Sequence, residues 1–363
     1  MATVIQKSWL IDKFVIQLFA PSLQKKTNFF RLLAVAQKAW LWVRDALLSI
    51  RKSERQRGMI LIVDDLIAQL TQWVSLGKAM ENHDYVFSKE EIALIQSSEV
   101  MGNMPDVLQD IAYENENMQK IRNTIAKAMA YPIILIVFTI VAVSILLIYV
   151  VPTIVGMFPV GANLPRVTQF MLDVSFFLQN VRFFLLILII AAIWSVHMLY
   201  KYFLPFKMFV DKLVLSIPVV WWVVKTFYMY RFAKLLGQFY VAWLSVTVWL
   251  ALMKDIFQNF FYQKKTLEIK EDLESWFSFA EAMEWSPLFD AILVQIIYVG
   301  EDTGNISDVL LKMASYYRDM LDTKIGILMS LIEPFLLAFV AIVIGIVVGS
   351  IFLPMAELVN VIQ

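Results

Sequence analysis

The sequence predicts an all-α integral membrane protein: two repeated cytoplasmic helical-bundle domains plus three transmembrane helices. Three observations predict it. Sixty per cent of the residues are apolar and only 17% are charged, with a mean hydropathy of +0.68, a balance typical of membrane proteins. Three uncharged stretches have about the length of a membrane span. Finally, the chain repeats itself at an interval of 202 to 203 residues.

A span needs about 20 apolar residues, because roughly 30 Å of hydrocarbon is crossed at about 1.5 Å per residue. Ala128 to Val151 and Pro334 to Ala356 are uncharged throughout. Phe183 to Tyr200 is uncharged too, with Arg182 and Lys201 at its ends, where they can snorkel. A fourth apolar stretch, Leu235 to Met253, competes with these. Its counterpart in the first half holds Gln37, Lys38, Arg44 and Asp45, and a charge near a helix centre costs roughly 2.5–3.5 kcal/mol on insertion. Two equivalent domains share one solvent, so this stretch reads as a core helix.

Basic residues flank the spans mainly on one side, since the loop 152–182 offers only Arg166 and Arg182 and the tail after Pro354 none. Lys120, Arg122 and Lys127 precede the first, Lys201, Lys207 and Lys212 follow the second, and Lys312, Arg318 and Lys324 precede the third. The positive-inside rule therefore makes both large domains and the N-terminus cytoplasmic. The resulting organisation is an N-terminal arm (1–28), a first helical domain (29–127), a span (128–151), a periplasmic loop (152–182) and a second span (183–204). A second helical domain (205–330), a third span (331–356) and a periplasmic tail (357–363) complete it. The start MATVIQKSWLIDKF is interrupted by Lys7, Asp12 and Lys13 and does not read as a cleaved signal peptide.

The repeat is the most informative feature. At an offset of 202, Glu99, Gly102, Asn103, Asp106, Val107, Leu108, Ala112 and Met118 fall on Glu301, Gly304, Asn305, Asp308, Val309, Leu310, Ala314 and Met320. Pro132 likewise meets Pro334, and Pro152 meets Pro354. Just upstream, at an offset of 203, QWVSLGKAME (72–81) matches SWFSFAEAME (275–284). Apolar residues at three- and four-residue spacing predict helices near 30–50, 60–80, 88–100 and 105–127, then near 228–252, 265–284, 290–300 and 306–328.

These residues resemble the inner-membrane platform family shared by type II secretion systems and type IV pili. The motif GE-x-x-G-x-L between two helices stands here as SEVMGNM (98–104) and GEDTGNI (300–306), each followed by a proline at AYP (130–132) and IEP (332–334). Ser98, Met104 and Ile306 depart from it. The turn between the first two helices of each domain falls at Ala39-Trp40 and Leu244-Ser245. That tryptophan-rich divergence points to an outlying branch, such as a type IVb pilus system. The resemblance implies a non-enzymatic scaffold that uses no cofactor. It would form a homo-oligomer in membrane lipid, with other inner-membrane assembly components, and couple a cytoplasmic hexameric ATPase to the insertion or extraction of pilin or pseudopilin subunits.

Several residues carry expectations of their own. Gly102 and Gly304 suit a left-handed helix end, and Asn103 and Asn305 suit the cap of the next helix. Glu99, Glu301 and Asp302 are partner-contact candidates beside these corners. Pro132 and Pro334 fit the first turn of a membrane helix, and Glu333 places a carboxylate at the membrane boundary, where it calls for a partner. Gly345 and Gly349 form a G-x-x-x-G pair that lets another helix backbone approach closely.

Other chemistries are poorly served. The chain has no cysteine, its 31 basic residues balance 31 acidic ones, and no block of like charge suggests nucleic acid. His83 and His197 have no companion at metal-ligand spacing, and Gly77-Lys78 lacks the rest of a phosphate-binding loop. The Trp40/Trp42 and Trp221/Trp222 pairs read as core or membrane-interface residues. A transporter or channel subunit is the alternative function, but the spans hold only Thr139, Ser144, Ser195, His197 and Ser350 as clearly polar groups.

Overall fold

The computed structural model describes residues 21–156, 166–244, 248, 252 and 257–362, and the described residues form helices and turns without a strand. In chain order the helices are α1 (Leu23–Lys38), α2 (Val43–Ser53), α3 (Arg57–Thr71), α4 (Leu76–Met80), α5 (Lys89–Met101) and α6 (Met104–Ile145). A π-helical turn (Leu146–Val150) leads into α7 (Val151–Val155). Then come α8 (Arg166–Tyr202), α9 (Leu204–Ser216), α10 (Pro218–Val241), α11 (Phe260–Glu274), α12 (Phe279–Glu284), α13 (Ala291–Thr303) and α14 (Ile306–Ile362). The chain divides into two compact units, one of residues 1–123 and 224–321, the other of residues 124–223 and 322–363.

The first unit holds both repeats. In the first repeat Phe29, Phe30, Leu33, Met59, Ile62, Leu66, Met80 and Ile95 are buried, and Phe29, Phe30 and Phe87 meet at ring distances of 5.4–5.8 Å. In the second, Phe232 and Leu236 occupy the places of Phe29 and Leu33, and Phe232 packs on Phe257, Phe279 and Phe289. Serine caps recur at matched positions. Ser75 and Ser278 accept from the backbone N–H three residues on, and the Ser278 N–H donates in return to the Glu281 carboxylate, which completes a capping box. Leu235, Leu236 and Phe239 on α10 are buried in this unit, as expected of a core helix. That helix ends at Val241, and most of the expected remainder, residues 245–253, lies outside the described residues.

A polar seam joins the repeats. The Arg231 guanidinium donates two bonds to Glu90, at 3.0 and 3.2 Å, and lies 3.6 Å from Glu114. The Tyr230 hydroxyl donates to Glu114 at 2.6 Å. Beside them Glu91 accepts from Lys26 at 2.9 Å and from Asn115 at 2.8 Å. Burial raises the Glu90 carboxyl above its ordinary value, and Arg231 pulls it back only in part because Glu91 and Glu114 crowd it. Arg231 itself is held charged by Glu90 and Glu114 against its burial.

In the second unit α6 runs on through the apolar stretch. Leu147, Val151 and Met171 are buried together, and the Ser175 hydroxyl donates to the Leu147 carbonyl at 2.6 Å. The π turn directly precedes Pro152, whose ring would crowd a regular α-helical carbonyl four residues back. Two long apolar helices have the length and composition of membrane spans among the described residues, Met104–Thr153 and Ile306–Ser350. The middle stretch lies on α8, whose side chains at 166–168, 178–190 and 193 lie outside those described.

Several expected boundaries differ from the structure. Neither Pro132 nor Pro334 begins a helix; both lie inside one, so α6 and α14 continue unbroken from the first unit into the apolar stretches. The stretch 152–182, expected as a loop, is helical up to Val155 and again from Arg166. The helices expected over 30–50, 60–80 and 265–284 are each broken by a turn at a tryptophan, for a reason that belongs to the site.

Candidate docking site

Six residues among those described adopt a left-handed backbone, and only two of them are glycines. Gly102 (φ 75°) and Gly304 (φ 69°) end α5 and α13, as their motif predicts. The other four are Trp40 (φ 60°), Trp73 (φ 63°), Trp243 (φ 49°) and Trp276 (φ 68°). Each follows a helix, of α1, α3, α10 and α11 in turn. At each, the next residue's N–H reaches back five residues: Leu41 to Ala36, Val74 to Gln69, Leu244 to Phe239 and Phe277 to Asp272. These are Schellman turns with tryptophan where glycine is preferred. An L-residue there costs roughly 1 kcal/mol or more relative to glycine. Trp40 and Trp243 are related by the repeat, as are Trp73 and Trp276. The second repeat's turn is thus Ala242-Trp243, not Leu244-Ser245.

All four indoles are left uncovered by the chain, at 94%, 97%, 83% and 96% exposure in chain order. Trp42 and Trp285 beside them are exposed as well. Trp40 and Trp42 are therefore not core residues. The signal for Trp73 and Trp276 in the sequence is the repeated pair QWVS and SWFS, with Trp two residues ahead of the helix-capping serine.

The corners lie at the same end of the unit. Lys38, just before Trp40, reaches Asp106 at the start of α6 at 3.4 Å. Glu99, just before Gly102, accepts from the Leu76 N–H at 2.5 Å and from Gly77 at 3.3 Å, directly after Trp73. The Ser97 hydroxyl donates to the Ala242 carbonyl, next to Trp243. Glu301 accepts from Phe279 at 2.7 Å and from Ala280 at 3.1 Å, directly after Trp276. The four tryptophans, Gly102 and Gly304 therefore share the end of the unit where α6 and α14 start, opposite Asn123 and Leu321.

Glu99 and Glu301 turn out to have internal partners. Each carboxylate caps the N-terminus of the short helix after a serine cap, so serine and glutamate together satisfy the first three N–H groups of α4 and of α12. Asp302, Gly304 and Asn305 are exposed, Gly102 is exposed and Asn103 half-exposed. Asn103 and Asn305 accept the first backbone bonds of α6 and α14 through their carbonyls.

The two halves of this end differ in charge. The last turn of α11 carries Glu271, Asp272 and Glu274 with no basic residue, against the sense of the helix dipole. Glu281, Glu284 and Asp302 add to it, all exposed. The matching positions of the first repeat are Ala68, Gln69, Thr71, Lys78, Glu81 and Val100, and Val100 is 88% exposed. An open groove between α12 and α13, about 430 Å³ in volume, is lined by Ala280, Glu281, Glu284, Ala291, Val294, Gln295 and Tyr298. In the first repeat Gln96 fills the corresponding place, packing on Gly77 and donating to Glu81 at 2.7 Å.

The remaining expected residues lie elsewhere. Gly345 and Gly349 have nothing within 4 Å of where a Cβ would stand, so their face is open to another helix. Glu333 is exposed and has no ion-pair partner among the described residues. His83 is buried between the Tyr85 hydroxyl, at 2.7 Å, and the Asp65 carboxylate, at 2.8 Å. Among the described residues no three His, Asp or Glu side chains gather as a metal site.

The profile of the type II secretion system (T2SS) protein F family matches residues 29–152 and 232–354, once on each repeat. The chain belongs to this family. It is 26% identical over 306 residues to the type IV pilus assembly protein PilC of Pseudomonas aeruginosa, covering 84% of this chain and 82% of that one. It is 28% identical over 310 residues to the type II secretion system protein F of Vibrio cholerae, covering 85% and 76%. With Aeromonas hydrophila type II secretion system protein F the identity is 24% over 355 residues, covering 97% and 91%. Family membership places the chain in the machinery of type II secretion or type IV pilus assembly, as an all-α platform protein with apolar membrane-length helices.

Proposed function

We propose that the chain is the inner-membrane platform of such a machine, coupling a cytoplasmic ATPase to the insertion or extraction of pilin or pseudopilin subunits without chemistry of its own. Three spans leave both repeats and the N-terminus in the cytoplasm, and the chain works as a homo-oligomer with other inner-membrane components. One observation carries this reading: the family match falls on both repeats, and in each repeat a single unbroken helix runs from a glycine corner into an apolar stretch. A continuous helix resists axial compression, so a load applied at the corner is transmitted along it rather than absorbed in a loop. The open Gly345–Gly349 face and Glu333, which has no ion-pair partner among the described residues, suit contacts with a neighbouring protomer or a pilin helix. With Glu99 and Glu301 engaged internally, the partner contacts fall to Asp302, Gly304 and Asn305 and, in the first repeat, to Gly102 and Asn103.

The full chain in nanodiscs should retain the ATPase of its own system and hydrolyse no ATP alone. A reporter active only outside the cytoplasm should work when fused after Asn163 and stay silent after Gln263. Hydrolysis or solute uptake by the isolated chain would overturn the platform reading, and an active fusion after Gln263 would overturn the topology.

A further inference from the structure

Four tryptophans stand exposed at backbone positions that disfavour them, in both repeats, at one end of one unit. For folding alone glycine would serve better at every one of these turns, since it adopts positive φ freely and leaves no exposed indole. The second repeat adds a run of carboxylates at a helix C-terminus, where they oppose the helix dipole. Both features weaken the free protein. They become favourable when another surface covers them, because tryptophan brings large apolar area at low conformational cost and is the residue most enriched where binding energy concentrates.

We infer that this end of the unit, carrying Trp40, Trp73, Trp243 and Trp276, is the surface on which the cytoplasmic motor docks, through a motor face with apolar sockets opposite the first repeat and basic side chains opposite the second. The inference rests on the platform reading above. Charge selects the occupant. Glu271, Glu281, Glu284 and Asp302 repel the anionic headgroups of a cytoplasmic leaflet and equally the same acidic end of a second copy of this chain, whereas Glu274 is paired with Lys270. A basic protein face is attracted, and Arg side chains can both pair with these carboxylates and stack on the indoles. The groove beside α12 adds a place for one long basic side chain, its stem along Ala291, Val294 and Tyr298 and its charge at Glu284, which has no ion-pair partner among the described residues. Gln96 closes the matching place in the first repeat, so the two halves of the surface are not interchangeable.

The test uses the full chain in phosphatidylcholine nanodiscs and, as probe, the purified hexameric ATPase of the same system. One variant combines Trp40→Gly, Trp73→Gly, Trp243→Gly and Trp276→Gly; a second combines Glu271→Lys with Glu284→Lys. The tryptophan variant should bind the ATPase at least about tenfold more weakly, with a melting temperature equal to or above that of the parent chain. The charge variant should bind more weakly too, and binding to the parent chain should fall as salt is raised. Binding to both variants within twofold of the parent would overturn the inference and leave the platform reading standing. If the parent chain itself fails to bind, the platform reading falls and the inference with it. A drop of several degrees in the melting temperature of the tryptophan variant would make the indoles structural. Its loss of parent-chain clustering with phosphatidylglycerol vesicles, or a changed oligomer, would assign them to lipid or to self-contact. Each of these last three results would also overturn the inference.

Discussion

Replacing Glu301 by alanine isolates the role of the motif carboxylate. In the folded chain this side chain accepts from Phe279 at 2.7 Å and from Ala280 at 3.1 Å, and both residues are buried, at 1% and 3% exposure. Alanine leaves two donors at a buried helix start without an acceptor. Each such loss costs about 1–3 kcal/mol, and the lost charge at the helix N-terminus adds about 0.3–1 kcal/mol. Because Glu301 itself is only half-buried and water can reach the freed donors, a total of about 3 kcal/mol, toward the lower end of that range, is expected. For a folding unit of this size it corresponds to a fall of roughly 6–12 °C in melting temperature, at about 2–4 °C per kcal/mol. Glu301→Gln keeps one neutral acceptor and should lose about half as much. Glu99→Ala should behave like Glu301→Ala, because Glu99 accepts from Leu76 and Gly77 in the same way. The effects of the two should add, since they share no partner. The assay is thermal unfolding of the purified full chain, with membrane abundance as the cellular counterpart. If Glu301→Ala melted with the parent chain yet lost its partner protein, the carboxylate would be a contact residue and the capping argument would be wrong.

Arg231→Met leaves Glu90 and Glu114 buried without their cation, so the first unit should lose about 3–5 kcal/mol, read by thermal unfolding or protease sensitivity. Gly345→Leu with Gly349→Leu should leave folding and insertion unchanged, since no described residue lies within 4 Å of either added Cβ; crosslinking should show a weakened oligomer, and an unchanged one would remove the pair from any interface. The hydrogen bond from His83 holds the Asp65 carboxyl below its ordinary value of 3.8. On acidification the unfolded chain therefore takes up this proton first, and the stability that Asp65 contributes above that value is lost as pH falls through the lower, folded one. Stability measured against pH should fall less steeply below pH 4 in Asp65→Asn than in the parent chain, and parallel curves would refute the assignment.

Much of this protein was legible in its residues. Composition and three uncharged stretches mark a membrane protein, because the hydrocarbon core imposes length and apolarity on any span. The repeat marks two copies of one helical unit, because equal cores need equal apolar spacing, as Phe29 and Leu33 match Phe232 and Leu236. The left-handed glycines at 102 and 304 follow from local chemistry, since their motif carries its own helix end and helix start.

Other features depend on groups that are distant in sequence. Pro132 and Pro334 read as helix starts, yet tertiary context carries α6 and α14 through them. Glu99 and Glu301 read as surface contacts, because nothing local reveals that each meets backbone N–H groups more than twenty residues upstream. The seam around Arg231 joins residues 141 apart in the chain, and it has no counterpart in the repeat. Of the four tryptophans, Trp40 reads as a core or membrane-interface residue, and Trp73, Trp243 and Trp276 carry no reading of their own. Their exposure was settled by the Schellman turns, which turn each indole outward once the helices on both sides have packed. Local propensity sets where a helix can form, whereas the direction a side chain faces depends on which surfaces the packed helices cover.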